Sequence, residues 1–280
     1  MLARDEERTA AKAGVERALY GEKELLDKAL GALKPRAPGK INLYLLAVAG
    51  DGSQEVFRRE VDFVQGEFAR RFQTAGHAVA LVNSRNTLGS VPMATVTSIR
   101  AALKAIASRM DREQDILFLF LTSHGSRDHE FSLHQNDLEL RGLRANELGA
   151  LLKESGIRWK VVVVSACYSG GFIDPLQDER SLVIAAARRD RRSFGCADEN
   201  DFTYFGRAFF KEALPKAGSF QEAFRNAEVL VKEWELKDVA GAAQAGDKAK
   251  AAEENQSLPQ ISSGKAIEAH LQRYWKQDPR

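Results

Sequence analysis

Four stretches of the chain are apolar at nearly every position: Ile41–Ala49, Asp115–Thr122, Lys160–Ala166 and Ser181–Ala187. A strand with one face in water alternates apolar and polar residues, whereas a strand covered on both faces reads as a near-continuous apolar run. Between these runs lie segments with apolar residues at helical spacing, such as Val56, Phe57, Val61, Val64, Phe68 and Phe72 within 54–75. Buried strands alternating with helices predict an α/β fold of three layers, a mostly parallel sheet with helices on both faces.

The remaining elements follow from the same periodicities. Helices are expected over 93–110, Ala145–Ser155, 202–214 and 219–237, with a short one at the C-terminus. Further strands are expected at Ala78–Val82 and within Ser257–Ser262. Glu130–Leu133 and Leu138–Arg141 read as a hairpin around Gln135-Asn136-Asp137. Residues 1–38 form a helical N-terminal arm carrying Val15, Leu19, Leu25, Leu26, Leu30 and Leu33, closed by the breaker Lys34-Pro35-Arg36-Ala37-Pro38-Gly39. Residues 39–280 form one domain, in which 238–256, rich in Ala, Gly, Lys, Glu and Gln, reads as a flexible excursion.

Bulk properties narrow the function. A formal net charge of +2 with mixed signs is not the concentrated basic face of a nucleic-acid binder. Cys167 and Cys196 are the only cysteines, too few for a disulfide framework; they could pair in an oxidising compartment or remain free. The charged start has no apolar stretch of signal-peptide type, and no window reaches about 18 uninterrupted apolar residues. The expectation is a soluble, cytoplasmic chain unless an anchor or signal lies upstream of this sequence.

In parallel sheets chemistry collects at the carboxyl ends of the strands. Here that means the segments after Ala49, Thr122 and Ala166, and two of the three carry reactive side chains. The first is Leu121-Thr-Ser-His124-Gly125-Ser126; the second is Val164-Ser165-Ala-Cys167-Tyr-Ser-Gly170-Gly171. The histidine and cysteine are 43 positions apart, separated by the hairpin and one helix. A crossover to an adjacent parallel strand would bring both to one crevice. A thiol with a pKa near 8.5 is only about a few per cent thiolate at neutral pH. A neighbouring imidazole can take its proton and later give one to a leaving amine. The backbone N–H groups of Gly125 and Cys167 are placed to hold the oxyanion of a tetrahedral intermediate, each such donor being worth about 3–4 kcal/mol.

These two boxes, Ser-His124-Gly-Ser and Ser-Ala-Cys167-Tyr-Ser-Gly-Gly-Phe172, resemble the His-Gly and Ala-Cys boxes of the legumain-like (asparaginyl) cysteine peptidases, relatives of the caspases. The similarity runs from about Ile41 to about Gly264 and is nearest the bacterial branch, including the arm segment Leu25-Leu-Asp-Lys-Ala-Leu-Gly-Ala-Leu33. It implies a caspase-like fold, a Cys167/His124 dyad and hydrolysis of a peptide or protein substrate with no metal or organic cofactor. Val56 stands where those enzymes carry an asparagine that orients the histidine, and Ser123 where they carry an acid. Arg58 matches their specificity-pocket arginine, while Ser165 and Arg207 stand where that pocket holds two acids; Arg192 and Ser193 match the pocket wall, and Cys196 a family cysteine. Losing two negative charges and gaining a positive one predicts cleavage after Asp, perhaps Glu, because arginines bind a carboxylate and leave an asparagine NH2 facing donors. Related enzymes also pass the acyl group to an amine, so a transamidase is the near alternative. A catalytically silent caspase-like binding module, and a metal-dependent hydrolase built on His124, His129 and His134, are the readings from other classes.

Overall fold

The computed structural model describes residues 18–242, apart from 136, 137 and 139, and residues 256–277. A helix over residues 18–31 (α1) leads into the core domain. There follow β1 (Leu43–Ala49), α2 (Val56–Arg71), β2 (Ala78–Val82), α3 (Val96–Arg109) and β3 (Ile116–Thr122). Next come the short strands β4 (Glu130–Phe131) and β5 (Leu143–Arg144), then α4 (Ala145–Ser155), β6 (Trp159–Ser165), α5 (Ile173–Leu176) and β7 (Ser181–Ala185). The chain closes with α6 (Tyr204–Gly206), α7 (Phe220–Ala242), β8 (Gln260–Ser263) and α8 (Lys265–Gln277).

Six strands form one sheet in the order β2-β1-β3-β6-β7-β8. All neighbours are parallel except β7 and β8, which run antiparallel. Every residue of β1, β3 and β7 is buried, as a strand covered on both faces requires. Successive side chains then feed two different cores. Leu45, Phe118, Phe120 and Val163 meet α2, α7 and α8, whereas Leu46, Leu117, Leu119 and Val162 meet α3 and α4. The arm belongs to the second face: Leu33 is buried there and Leu26 and Leu30 pack against it. This is the three-layer α/β arrangement expected from the runs, and it is consistent with the caspase-like fold that the resemblance implies.

Three expectations need correction. Glu130–Phe131 pairs with Leu143–Arg144 rather than with Leu138–Arg141, because the turn closes tightly through a Gln135–Leu138 bridge and the chain returns later. Asn136 and Asp137 lie outside the described residues. The helix α7 continues to Ala242, past the expected stop at 237, so the start of the expected 238–256 excursion is helical; 243–255, like arm residues 1–17, lies outside the described residues. The helix beginning at Tyr204 widens into a π-turn over Arg207–Ala213.

Candidate active site

The register of the sheet builds the site. Ala49 of β1 is level with Thr122 of β3, and Thr122 with Ser165 of β6, so three adjacent strands end on one line. His124 stands two residues beyond Thr122 and Cys167 two residues beyond Ser165. The tips touch through backbone: a Cβ on Gly125 would fall 2.1 Å from the Cys167 carbonyl oxygen, so only glycine allows this approach. The amides of Gly125 and Cys167 have no hydrogen-bond acceptor among the described residues. Two such N–H groups at neighbouring strand tips are available to a developing oxyanion.

His124 is half-buried, its ring edge-on to Phe57 of α2 with centroids 5.2 Å apart. The Ser132 amide donates to its carbonyl at 3.0 Å, while the imidazole has no hydrogen-bond partner among the described residues. Val56 is fully buried, and the Ser123 hydroxyl donates to the Ser132 carbonyl at 2.8 Å, so neither orients the ring. Aromatic packing holds the imidazole instead.

Cys167 is a free, partly exposed thiol. It accepts from the Ser193 amide at 3.3 Å and donates to the Ser193 carbonyl at 3.6 Å. Loss of the proton would keep the first contact and forfeit the second. Tyr168 adopts a left-handed conformation with φ 58°. Its amide donates to the Arg191 carbonyl at 2.7 Å and its hydroxyl accepts from Arg192 at 3.3 Å. Arg127 lies over its ring at 5.6 Å, and the exposed Arg192 is in electrostatic reach of Cys167. Arg127 and Arg192 therefore place two cations around the turn that carries Cys167.

The other expected pocket residues each have partners of their own. Arg58 is half-buried between Glu55 and Asp62, each contact 2.6 Å. Ser165 is buried, its hydroxyl 3.2 Å from that of Thr203. Arg207, 54% exposed, reaches Glu212 at 3.4 Å and lies over Trp234 at 5.0 Å. It lines a cavity of about 460 Å³ with Phe202, Lys211, Lys237 and Asp238, and Arg58 is not among its walls. The two arginines thus have separate partners, because one sits on α2 and the other turns outward on the π-turn.

The histidine series also separates. The His129 ring nitrogen meets the Tyr168 carbonyl at 3.1 Å and its ring covers Gly171, whereas His134 is exposed. Among the described residues no three His, Cys, Asp or Glu side chains cluster as a metal site would require. Cys196 differs from Cys167 in environment: burial, with lesser contributions from Cys167 and Glu60, pushes its thiol up to about 12.

One group escaped the sequence reading. Glu60 carries a carboxyl on the apolar stripe of α2, four residues from both Val56 and Val64, and is fully buried beneath the strand tips. Burial raises its pKa above the usual carboxylate range, opposed by hydrogen bonds from Thr122 and Thr203. A charge on an apolar stripe was the available signal.

A model of the Peptidase C13 family, the legumain family, matches residues 96–250, more than half of the chain. The matched span holds both strand tips and the segment from Ser193 to Arg207, and begins after α2. None of the curated proteins matches the chain. No helix among the described residues is long and apolar enough to cross a membrane.

Proposed function

The chain belongs to the Peptidase C13 family of cysteine peptidases, and from that premise we propose that it is an endopeptidase with Cys167 as nucleophile and His124 as proton carrier, cutting after an acidic residue. The observation that carries this reading is the contact of the two strand tips, Gly125 against the Cys167 carbonyl, with a free amide on each side. The Cys167 sulfur attacks the scissile carbonyl as its proton passes to His124. The carbonyl oxygen becomes an oxyanion between the Gly125 and Cys167 amides. Collapse breaks the C–N bond, and the imidazolium gives its proton to the leaving amine. Water, deprotonated by His124, then cleaves the thioester and returns the thiol.

The acidic preference draws on the cations near the turn. Arg58 follows Phe57, whose ring abuts His124, and Arg192 stands beside Tyr168. Ser165 contributes no negative charge. Arg207 would join them only by leaving Trp234 and Glu212.

Matched fluorogenic peptides differing only in Asp or Asn at the cleavage position test the preference, and the Cys167→Ala and Gly125→Ala variants test the site. Cys167→Ala should abolish turnover, Gly125→Ala should lower it by about 100-fold or more, and the Asp peptide should be faster. Retained turnover in Cys167→Ala overturns the nucleophile; a faster Asn peptide overturns the preference alone.

A further inference from the structure

Beneath the strand tips lies a carboxyl that takes no part in the chemistry described so far. Glu60 projects from α2 and is completely shielded from solvent. Its Oε2 accepts from the Thr122 hydroxyl at 2.5 Å; its Oε1 accepts from both the amide and the hydroxyl of Thr203, each at 2.7 Å. No lysine, arginine or histidine among the described residues forms an ion pair with it.

The partners of Glu60 are the places where the site is assembled. Thr122 is the last residue of β3, two positions before His124. The Thr203 hydroxyl is 3.2 Å from that of Ser165, the last residue of β6 and two positions before Cys167. It also caps α6 by accepting from the Gly206 amide at 3.0 Å. The next amide, that of Tyr204, donates to the Phe194 carbonyl at 3.0 Å, adjoining Ser193 and its contact with the Cys167 sulfur. One carboxyl therefore touches, directly or through one hydroxyl, the histidine strand, the cysteine strand and the loop that latches the thiol. Gly206 lies so near that a Cβ there would come within 1.9 Å of Oε1, so the helix closes over the carboxyl.

We propose that Glu60 is a positioning residue of the peptidase, a buried carboxyl that clamps the tips of β3 and β6 and the 193–206 segment in their working geometry. The inference rests on the Cys167/His124 reading of the site. An isolated carboxylate with no counter-ion is costly to bury, and such a group keeps its proton instead. In the neutral form Oε2–H donates to the Thr122 hydroxyl while Oε1 continues to accept from Thr203. Glutamine reproduces this pattern, its NH2 replacing the acid O–H. Alanine removes it and leaves the Thr203 amide and hydroxyl without their acceptor and the Thr122 hydroxyl without its donor. Thr203→Val removes the hydroxyl that joins Glu60 to Ser165 and caps α6, at nearly constant volume.

The experiment measures kcat and KM for a peptide substrate with the wild type, Glu60→Gln, Glu60→Ala, Thr203→Val and Cys167→Ala, together with circular dichroism of each. Misplacing reacting groups by about 1 Å costs about 100-fold in rate. Glu60→Ala and Thr203→Val should lose about 10- to 100-fold in kcat with KM changed less than about threefold. Glu60→Gln should stay within about threefold of wild type. Wild-type kcat in folded Thr203→Val, or Glu60→Gln as impaired as Glu60→Ala, overturns the clamp. If Glu60→Ala does not fold, Thr203→Val and Glu60→Gln decide the matter. Activity in Cys167→Ala would instead remove the underlying reading of the site, whatever the Glu60 variants do.

Discussion

Cys196 and Cys167 are the same chemical group in different surroundings, and their reactivity toward an alkylating agent should separate them. Burial holds the Cys196 thiol up at about 12, so at pH 8 it carries its proton; Cys167 stands at a strand tip within electrostatic reach of Arg192, and both thiols are partly exposed. Iodoacetamide at pH 8 should therefore add one group per native chain, on Cys167, and two after denaturation; mass spectrometry reads the count. Equal modification of both thiols in the native chain contradicts the assignment. The sign of the linkage follows from the raised folded pKa. The stabilising effect of the neutral Cys196 thiol is complete below its ordinary value of 9.0 and is lost as pH rises toward about 12. Replacing Cys196 by Ala should remove that alkaline loss. At this scale the proposed pair stood out in the sequence because His124 leaves a buried run just before Gly125, and Cys167 leaves the next one three residues before Gly170. The partners of Arg58 and Arg207 were not, since long side chains choose acids and rings that tertiary packing supplies.

At the scale of elements, the start of α2 holds the loop that borders the site. The Arg59 guanidinium donates to the carbonyl of Asn200 at 2.6 and 3.0 Å and to that of Asp198. The Glu55 amide donates to the Asp198 carboxylate at 2.8 Å, and Arg85 reaches it at 2.7 Å. A lysine ammonium cannot span two carbonyls as the planar fork does. Arg59→Lys should thus cost about 1–2 kcal/mol and raise KM severalfold with kcat nearly unchanged. Faster amide exchange over 194–203 would report the loosened loop; unchanged exchange would show that Glu55 and Arg85 suffice. Long elements were read closely: β2 matches its expected limits, and α4 ends where expected, at a Gly156 with φ 68°. Two-residue strands such as β4 and β5 carry no periodicity, so their pairing was missed. The π-turn was also unreadable, because Phe205, Phe209 and Phe210 fit an ordinary amphipathic helix.

For the whole molecule, one sheet separates two cores, and the side toward α2 and α7 is rich in aromatics. The Phe118 ring lies 4.6 Å from Phe68, 5.2 Å from Phe220 and 6.3 Å from Phe210. Phe118→Ala should lower the unfolding free energy in urea by about 3–5 kcal/mol while the folded fraction keeps its kcat, since Phe118 lies mid-strand. A loss below about 1 kcal/mol would mean that the cluster relaxes to fill the space. The layered architecture was legible because burial on both faces leaves strands apolar throughout; the direction of β8 was not, since four residues fit either orientation. The last helix adds a practical property. The Gln277 side chain accepts from the Ile41 amide at 3.0 Å and donates to its carbonyl at 2.7 Å, at the foot of β1. The seven residues of β1, rising about 3.3 Å each, separate that anchorage from the tips. A surface or label coupled at Gln277 would consequently grip the foot of the sheet and leave the strand tips turned to the surrounding liquid.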